Sequence, residues 1–220
     1  MMKTNLLHIL KAYEKGLDDL HNQIIRTPSV PDIIFKDDPL RLLRVIRFAS
    51  RFNWGIEKDT WLGMVKNAYR INIISQERIR EELCKMMECD IPSVAIKRLD
   101  ACGLLDRILP EIYRLKGIKQ GVQHFGDVYE HTLATMDKTH PVALHRLAAL
   151  FHDCGKVYTR SLKDGVIHFI NHESVGATLS KLALTRLKFS NAEINTIVTA
   201  IREHMRFKSF GDKCPTKKSL

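Results

Sequence analysis

The sequence predicts an almost entirely α-helical fold with one short β-hairpin, and three observations support this prediction. Apolar residues recur along most of the chain at the spacing of one face of a helix. Helix start signals precede several of these stretches, as at Pro39, and glycine or proline follows them, as at Gly103. The segment 157–170 instead resembles two strands joined by Asp164-Gly165, a dipeptide typical of hairpin turns.

The start and stop signals place each helix in turn. Acidic residues and Pro39 open the second helix, Ser75 precedes the fourth, and Pro92 begins the fifth. Within the second helix, Leu42, Val45, Ala49 and Phe52 recur as a core face should. The expected helices cover 5–25, 38–52, 57–70, 75–88, 92–102, 127–139, 142–151, 172–187 and 190–205.

The best candidate for a domain boundary is the segment 110–126, where Pro110 and three glycines cluster. It separates a helical neck region, residues 1–115, from a second helical domain, residues 120–220. Each part has a plausible size for a domain. We therefore expect two helical domains, the second of which contains the hairpin.

Composition excludes several classes of protein. Of the 220 residues, 45% are hydrophobic and 27% are charged, which is ordinary for a globular protein and argues against disorder. No apolar run approaches the roughly 20 residues that a membrane span needs, and the N-terminal residues do not resemble a signal peptide. The five cysteines are widely spaced without a CxxC motif, which favours a reducing compartment. The sequence therefore predicts a cytoplasmic protein without a membrane segment.

Positive charge is concentrated in two parts of the chain. The formal net charge is +10, and residues 181–220 hold nine basic residues against three acidic ones. Arg41, Arg44, Arg47 and Arg51 lie along one side of the second helix with no acid between them. A solvated arginine face is one interpretation. The other is an anionic partner, because the planar guanidinium group suits phosphates and base edges.

Histidines form the strongest chemical pattern. His131, His172 and His204 lie on separate helices, and His152-Asp153 follows the apolar end of another. Imidazole and carboxylate together are good ligands for divalent transition metals, whereas a lone histidine on a helix is usually an ordinary packed or surface residue. Lys156 follows the pair closely and could meet a phosphate oxygen. His140 and His145 are interpreted as ordinary residues, because nothing around them indicates a site.

These residues resemble the HD superfamily of metal-dependent phosphohydrolases. The resemblance rests on His131, His152-Asp153 and the Gly155-Lys156 pair. It implies a divalent metal (Mg, Mn, Ni or Co) and catalysis by His152, Asp153 and Lys156. The implied metal ligands are His131, His152, Asp153, His172 and His204, the last two at auxiliary positions. The family's final aspartate is not found, so we expect a domain incomplete at its C-terminus and one ligand short.

The segment 37–49 is similar to the neck motif of bacterial class II tRNA nucleotidyltransferases, which include CCA-adding enzymes and poly(A) polymerases. The segments 23–28, 75–83 and 103–111 match the same family. The resemblance implies that tRNA and nucleotides, ATP or CTP, are partners. By this resemblance, Asp38, Arg41 and Arg44 would bind the nucleotide, and Arg47, Arg51, Lys188 and Arg206 would bind RNA.

Local roles for the same residues are also possible. Asp37 and Asp38 can cap a helix while Arg41 forms an ion pair within it, and both roles can coexist with nucleotide binding. Glutamates in the segment 77–82 are expected to brace the neck through ion pairs rather than to perform chemistry.

The family's N-terminal catalytic head, with its Gly-Ser turn and Asp-x-Asp pair, has no counterpart in this sequence. Three hypotheses follow. The favoured one is the neck and HD part of a tRNA nucleotidyltransferase of the CCA-adding type, which binds tRNA and nucleotide. The second is a free-standing HD phosphohydrolase that acts on a 2′,3′-cyclic phosphate, a 2′-phosphate or a nucleotide. The third is a non-catalytic RNA-binding remnant. These hypotheses include both an enzyme and a non-catalytic protein.

Overall fold

The structure is a computed structural model that describes residues 15–120 and 126–211, with side chains up to Met205. The chain divides into two compact units, the first ending at Ile108 and the second beginning at Leu109. Both units are built almost entirely from helices. The predicted fold class, all-α with one short hairpin, is confirmed.

The first unit packs its helices around one central helix, α3. In chain order its elements are α1 (15–21), β1 (Ile24–Ile25), α2 (Pro31–Asp37), α3 (Leu40–Arg51), β2 (Gly55–Ile56), α4 (Lys58–Asn67), a 3₁₀ helix (Ala68–Ile73), α5 (Gln76–Met87), α6 (Pro92–Ala101) and α7 (Leu105–Ile108). The strands β1 and β2 form a single parallel pair, with Ile24 opposite Gly55.

Helix α3 forms because its apolar residues fall on one face. Leu42, Ile46 and Ala49 are fully buried, and the helix packs against α5 and α6. Burying a leucine or isoleucine completely contributes roughly 1.5–3 kcal/mol, so this face anchors the unit. At the start of the helix the carboxylate of Asp38 accepts a hydrogen bond from the backbone N–H of Leu40 at 3.2 Å. The opposite face therefore remains available for charged and aromatic side chains.

The second unit consists of helices and the hairpin. Its elements are α8 (Pro110–Tyr113), α9 (Val128–Lys138), α10 (Ala143–Phe151), α11 (Lys156–Thr159), β3 (Arg160–Lys163), β4 (Val166–Phe169), α12 (His172–Arg186) and α13 (Asn191–Gly211). In the hairpin turn Asp164 and Gly165 both have positive φ, 52° and 75°. This is the backbone of a type I′ turn, as the Asp-Gly pair predicts.

A close backbone contact positions α12 in the second unit. Gly155 lies against the first turns of α12, where a Cβ atom would come within 2.1 Å of the carbonyl oxygen of His172 and 2.6 Å of the Gly176 nitrogen. Only glycine allows this approach. It brings the start of α12 against the segment that follows α10, while α13 packs on both α10 and α12.

Several element boundaries differ from the expected ones. Residues 24–25 form a strand instead of the end of the first helix, because Gln23 adopts a positive φ of 57° that stops the helix. Helix α2 was not expected, and the expected helix 57–70 divides into α4 and the 3₁₀ helix. Residues 5–14 of the expected first helix lie outside the described residues. No helix in the described ranges is both long enough and apolar enough to cross a membrane.

Candidate functional site

The buried carboxylate of Asp153 is the centre of the candidate site. Its side chain is 2% exposed, directly after the end of α10. His152 Nε2 and His131 Nε2 lie 3.0 and 3.6 Å from Asp153 Oδ2. On the other side, His172 Nε2 and His204 Nε2 lie 3.5 and 3.9 Å from Oδ1. The structure thus brings together all five residues that the HD resemblance implies as metal ligands.

Backbone carbonyl groups orient three of the imidazole rings. Nδ1 of His152, His172 and His204 lies 2.7, 2.7 and 2.6 Å from the carbonyl oxygen of the residue three positions earlier. A ring that donates from Nδ1 in this way presents a lone pair at Nε2. Burial also lowers the pKa of His204, which favours its neutral form.

The nitrogen and oxygen atoms around Asp153 are arranged as the ligands of a metal ion would be. Imidazole lone pairs and carboxylate oxygens repel one another unless a cation lies between them. Asp153 belongs to two groups of ligand atoms, one with His131 and His152 and one with His172 and His204, and the atoms of each group lie within 4.8 Å of one another. This mixed nitrogen and oxygen set fits a divalent metal.

Lys156 is the amine partner of the same carboxylate. Its Nζ donates to Asp153 Oδ2 at 2.7 Å and to Gln120 Oε1 at 2.9 Å. Burial alone would raise the pKa of Asp153. The charge of Lys156 and its hydrogen bond favour the ionised carboxylate against this penalty, and the pKa of Asp153 lies well below its usual range. Asp153 is therefore ionised, as a metal ligand must be.

A cavity of about 600 Å³ opens beside this cluster. Its polar part consists of the cluster, Lys156, Thr135 and His168, and the rest of its wall is apolar. The apolar residues of the wall are Ala148, Ala149, Ile167, Phe169, Ala200 and Met205. A pocket with a charged centre and an apolar wall can hold a phosphate beside a less polar group.

The predicted nucleotide-binding residues lie at the start of α3 in the first unit. Asp38 pairs with Arg78 Nη2 at 3.2 Å, whereas Arg41 Nη1 lies 3.5 Å from Asp37 Oδ2. The ion pair of Arg41 with Asp37, which the sequence predicted as a local role beside nucleotide binding, is therefore present. The side chains of Asp38 and Arg41 keep 24% and 39% of their surface exposed, so a ligand could still reach both.

Glu82 of α5 is in contact with two of the four arginines on one side of α3. Arg47 Nε lies 2.7 Å from Glu82 Oε2, and Arg44 Nε lies 3.6 Å from Oε1. The Glu82 side chain is only 4% exposed and that of Arg47 13%, so Arg47 contributes to the packing of the unit. Arg44 and Arg51 remain exposed. Glu82 thus braces the neck, as expected of the glutamates in this segment.

The remaining predicted RNA-binding residues lie in the second unit. Lys188 is exposed just after α12, where its positive φ of 60° ends the helix. Arg206 belongs to α13, but its side chain lies outside the described residues.

Sequence reasoning missed two kinds of residue. Gln120, which accepts from Lys156, lies in a loop without a recognisable motif. Phe52 was assigned to the core face of α3 but is 48% exposed, and Phe48 is 37% exposed. Phe52 still has a helical backbone, but it is the C-cap residue of α3 and lies just beyond the part of the helix face that is packed.

Comparisons with known proteins agree with this geometry. Residues 53–115 match the family described as the probable RNA and SrmB-binding site of polymerase A, and residues 128–216 match the HD domain. The chain is 32% identical over 202 residues to an A-adding tRNA nucleotidyltransferase of Deinococcus radiodurans, which covers 86% of this chain and 46% of that protein.

Two further comparisons extend the similarity. A CC-adding tRNA nucleotidyltransferase of Thermus thermophilus is 29% identical over 205 residues, covering 87% of this chain and 46% of the relative. The solved structure of a Thermotoga maritima CCA-adding enzyme complexed with tRNA shares the fold, with a TM-score of 0.54 at 19% identity. That match covers 93% of this chain and 54% of the other.

The chain spans about half the length of the curated relatives that it matches. Within that span, the RNA-binding region is followed by the HD domain. The chain is therefore a relative of the bacterial tRNA nucleotidyltransferases and poly(A) polymerases, which it matches in the neck region and the HD domain.

Proposed function

We propose that this chain is the tRNA-binding and nucleotide-binding part of a tRNA nucleotidyltransferase of the CCA-adding type. The observation that supports the proposal is the similarity to A-adding and CC-adding relatives, which covers 86–87% of the chain. The excess of positive charge, +10 overall, is consistent with an RNA partner. Free thiols at Cys84, Cys89, Cys102 and Cys154 are consistent with a reducing, cytoplasmic setting.

Nucleotide binding would take place at the start of α3. CTP and ATP both present an exocyclic amine beside a ring acceptor. The carboxylate of Asp38 would accept from the amine, and the guanidinium of Arg41 would donate to the acceptor. Arg44, which is 47% exposed on the next turn, would meet the phosphates.

Two binding measurements test this function. Equilibrium dialysis against ATP, CTP, GTP and UTP should show a preference for ATP and CTP that Asp38→Asn removes. The logarithm of tRNA affinity should fall linearly with the logarithm of salt concentration. Arg51→Ala should weaken tRNA binding and reduce the salt slope by about one.

Arg107→Ala is the matched control, because Arg107 is an exposed arginine of the same unit that lies outside α3. Absence of tRNA binding by the unaltered chain, or nucleotide binding without base preference, would contradict the proposal.

A second candidate function is metal-dependent phosphohydrolysis in the HD domain, supported by the four imidazole groups around Asp153. His131, His152, Asp153, His172 and His204 would hold the divalent ion, of which Mg, Mn, Ni and Co are candidates. When bound, such an ion polarises a phosphoryl oxygen and lowers the pKa of bound water.

The other groups of the pocket have separate roles in this hypothesis. Lys156 would donate from Nζ to a phosphate oxygen, and its positive charge would stabilise the negative charge that develops there. The apolar wall, which includes Ile167 and Phe169, would limit the access of bulk water. A 2′,3′-cyclic nucleotide, which combines a phosphate with a less polar base, is the substrate class that we expect.

The experiment measures metal binding and phosphate hydrolysis separately. Elemental analysis after dialysis against each metal should find bound ion, and the loaded protein should hydrolyse a 2′,3′-cyclic nucleotide. His152→Ala should lose both properties, whereas Lys156→Met should keep the metal and lose turnover. His145→Ala is the matched control, because His145 lies in α10 outside the cluster. Turnover that survives Lys156→Met would exclude the proposed role of this lysine.

A further inference from the structure

An exposed group of aromatic rings lies at the end of α3. Phe48 and Phe52 are 37% and 48% exposed, their ring planes differ by only 5°, and their centroids are 6.1 Å apart. The ring of Trp54 lies 5.3 Å from that of Phe52. We name these three residues the aromatic platform. Three neighbouring aromatic rings with partial exposure are unusual on a surface without a ligand, because their burial would be favourable.

The ion pair of Glu82 and Arg47 supports Phe48 of the platform. Glu82 fixes Arg47, and the guanidinium carbon of Arg47 lies 4.2 Å from the centroid of the Phe48 ring. This cation–π contact orients the ring. The Phe48 ring is therefore oriented before any ligand binds, which reduces the entropy lost on binding.

The backbone beyond α3 is fixed as well. Trp54 donates its backbone N–H to the carbonyl of Ala49 at 2.9 Å, and Arg98 Nη2 donates to the Trp54 carbonyl at the same distance. Arg98 also donates to the hydroxyl of Ser50 at 3.3 Å. These contacts set the position of Trp54 relative to the two phenylalanines.

Positive charge borders the platform. Arg44 lies one turn before Phe48, and Arg51 lies between Phe48 and Phe52 in sequence. Helix α3 contains no acidic residue. Arg51 is exposed, and no carboxylate among the described residues is in ion-pair contact with it. Cations beside exposed ring faces suit a ligand that carries both phosphates and flat bases.

We propose that the aromatic platform binds unpaired nucleotides of an RNA strand. The bases would stack on Phe48, Phe52 and Trp54, and Arg44 and Arg51 would contact the phosphates between them. Stacking is possible only for unpaired bases, so the platform would discriminate single-stranded from fully paired RNA without reading base identity. This inference rests on the proposed RNA-binding function and adds the kind of RNA segment that this surface accepts.

The test compares two RNA probes by fluorescence anisotropy. One is a short single strand of alternating A and C. The other is a blunt, fully paired hairpin whose loop is replaced by an ethylene-glycol linker, with the same number of phosphates. Phe52→Leu keeps the apolar volume but removes the ring. It should weaken binding of the single strand by roughly 5- to 150-fold, the equivalent of about 1–3 kcal/mol for one stacked base. Binding of the hairpin should not change.

Two further variants distinguish the loss of stacking from a general loss of folding. Phe52→Trp should retain single-strand binding, and Tyr69→Ala, which removes another exposed aromatic residue of the same unit, should have no effect. In a Trp61→Phe background Trp54 is the only tryptophan, since the chain has two. Its fluorescence should be quenched by the single strand and not by the hairpin.

The outcomes separate this inference from the proposed function. If the unaltered chain binds neither probe nor tRNA, both are overturned. If it binds RNA, but Phe52→Leu leaves single-strand binding unchanged, only the aromatic platform is overturned. Equal weakening of both probes by Phe52→Leu would also overturn it, because stacking cannot act on the paired probe.

Discussion

Each unit of this protein is organised around one buried carboxylate, but the two carboxylates have different partners. Glu82 in the first unit is in contact with Arg44, Arg47 and Lys85. Asp153 in the second unit is in contact with Lys156 and four histidines. We call these groups the Glu82 cluster and the Asp153 cluster.

The difference between the clusters lies in the chemistry of the partners. Arginine is always charged, and Glu82 is in contact with both Arg44 and Arg47, so the Glu82 cluster is neutralised by the protein alone and braces the neck. Asp153 has one cationic partner, Lys156, and its four imidazole partners present lone pairs when neutral, so the Asp153 cluster has room for an exchangeable cation. One buried carboxylate thus supports structure, and the other supports a candidate site of chemistry.

The largest expected effect is the loss of metal binding on substitution of Asp153. Asp153→Asn removes the ligand that both groups of ligand atoms share. Loss of residues that only orient metal ligands typically costs roughly 10–100-fold in affinity, so loss of this shared ligand should cost more than about 100-fold. Isothermal titration with Mn²⁺ or Co²⁺ would measure it.

Asp164→Asn is the control for this measurement, since asparagine tolerates the positive φ of the hairpin turn. Unchanged metal affinity of Asp153→Asn would show that the Asp153 cluster is a structural network like the Glu82 cluster.

The second prediction concerns the backbone contact that brings His172 to Asp153. In Gly155→Ala the new Cβ would lie 2.1 Å from a backbone oxygen of α12, so the helix must move. We expect the free energy of unfolding to fall by about 3 kcal/mol, at the upper end of typical overpacking, with weaker metal binding. Chemical denaturation would measure the first effect.

Gly16→Ala serves as the comparison, because a Cβ there meets no atom within 4 Å. Full stability of Gly155→Ala would show that the start of α12 can shift without cost.

The third prediction applies to the Glu82 cluster. Glu82→Gln leaves the largely buried Arg47 without its charged partner. Breaking a buried pair typically costs roughly 3–5 kcal/mol, and the exposure of Arg44 and Lys85 reduces this to about 2–3 kcal/mol. The loss should appear in urea denaturation.

Glu81→Gln, at the neighbouring exposed position of α5, should change the stability by less than about 0.5 kcal/mol. Similar behaviour of the two variants would contradict the bracing role of Glu82.

The smallest effect is expected at Lys85. Lys85 and Lys156 each follow their carboxylate by three residues, but Lys85 is 48% exposed and 3.8 Å away, whereas Lys156 is 11% exposed and 2.7 Å away. Lys85→Ala should therefore change the free energy of unfolding by no more than about 0.5 kcal/mol. A loss of unfolding free energy above about 1 kcal/mol would mean that the exposed Lys85 is an essential partner of Glu82.

Local signals predicted some features well. Pro39 and Pro92 stand at the start of helices that the structure contains, and the Asp164-Gly165 turn joins the two strands of the hairpin. Each of these features depends on the conformational preference of one or two residues. Features that depend on where a helix stops were less predictable, as the exposure of Phe52 shows.

By itself, the sequence determined the helical character of both units, the hairpin, and the identity of the histidines and arginines that could form sites. Only the tertiary structure decided that four histidines from separate parts of the chain converge on Asp153, and that Glu82 engages Arg47. A buried carboxylate must be neutralised, but the partner that neutralises it is set by how helices pack. No local pattern along the chain encodes that packing.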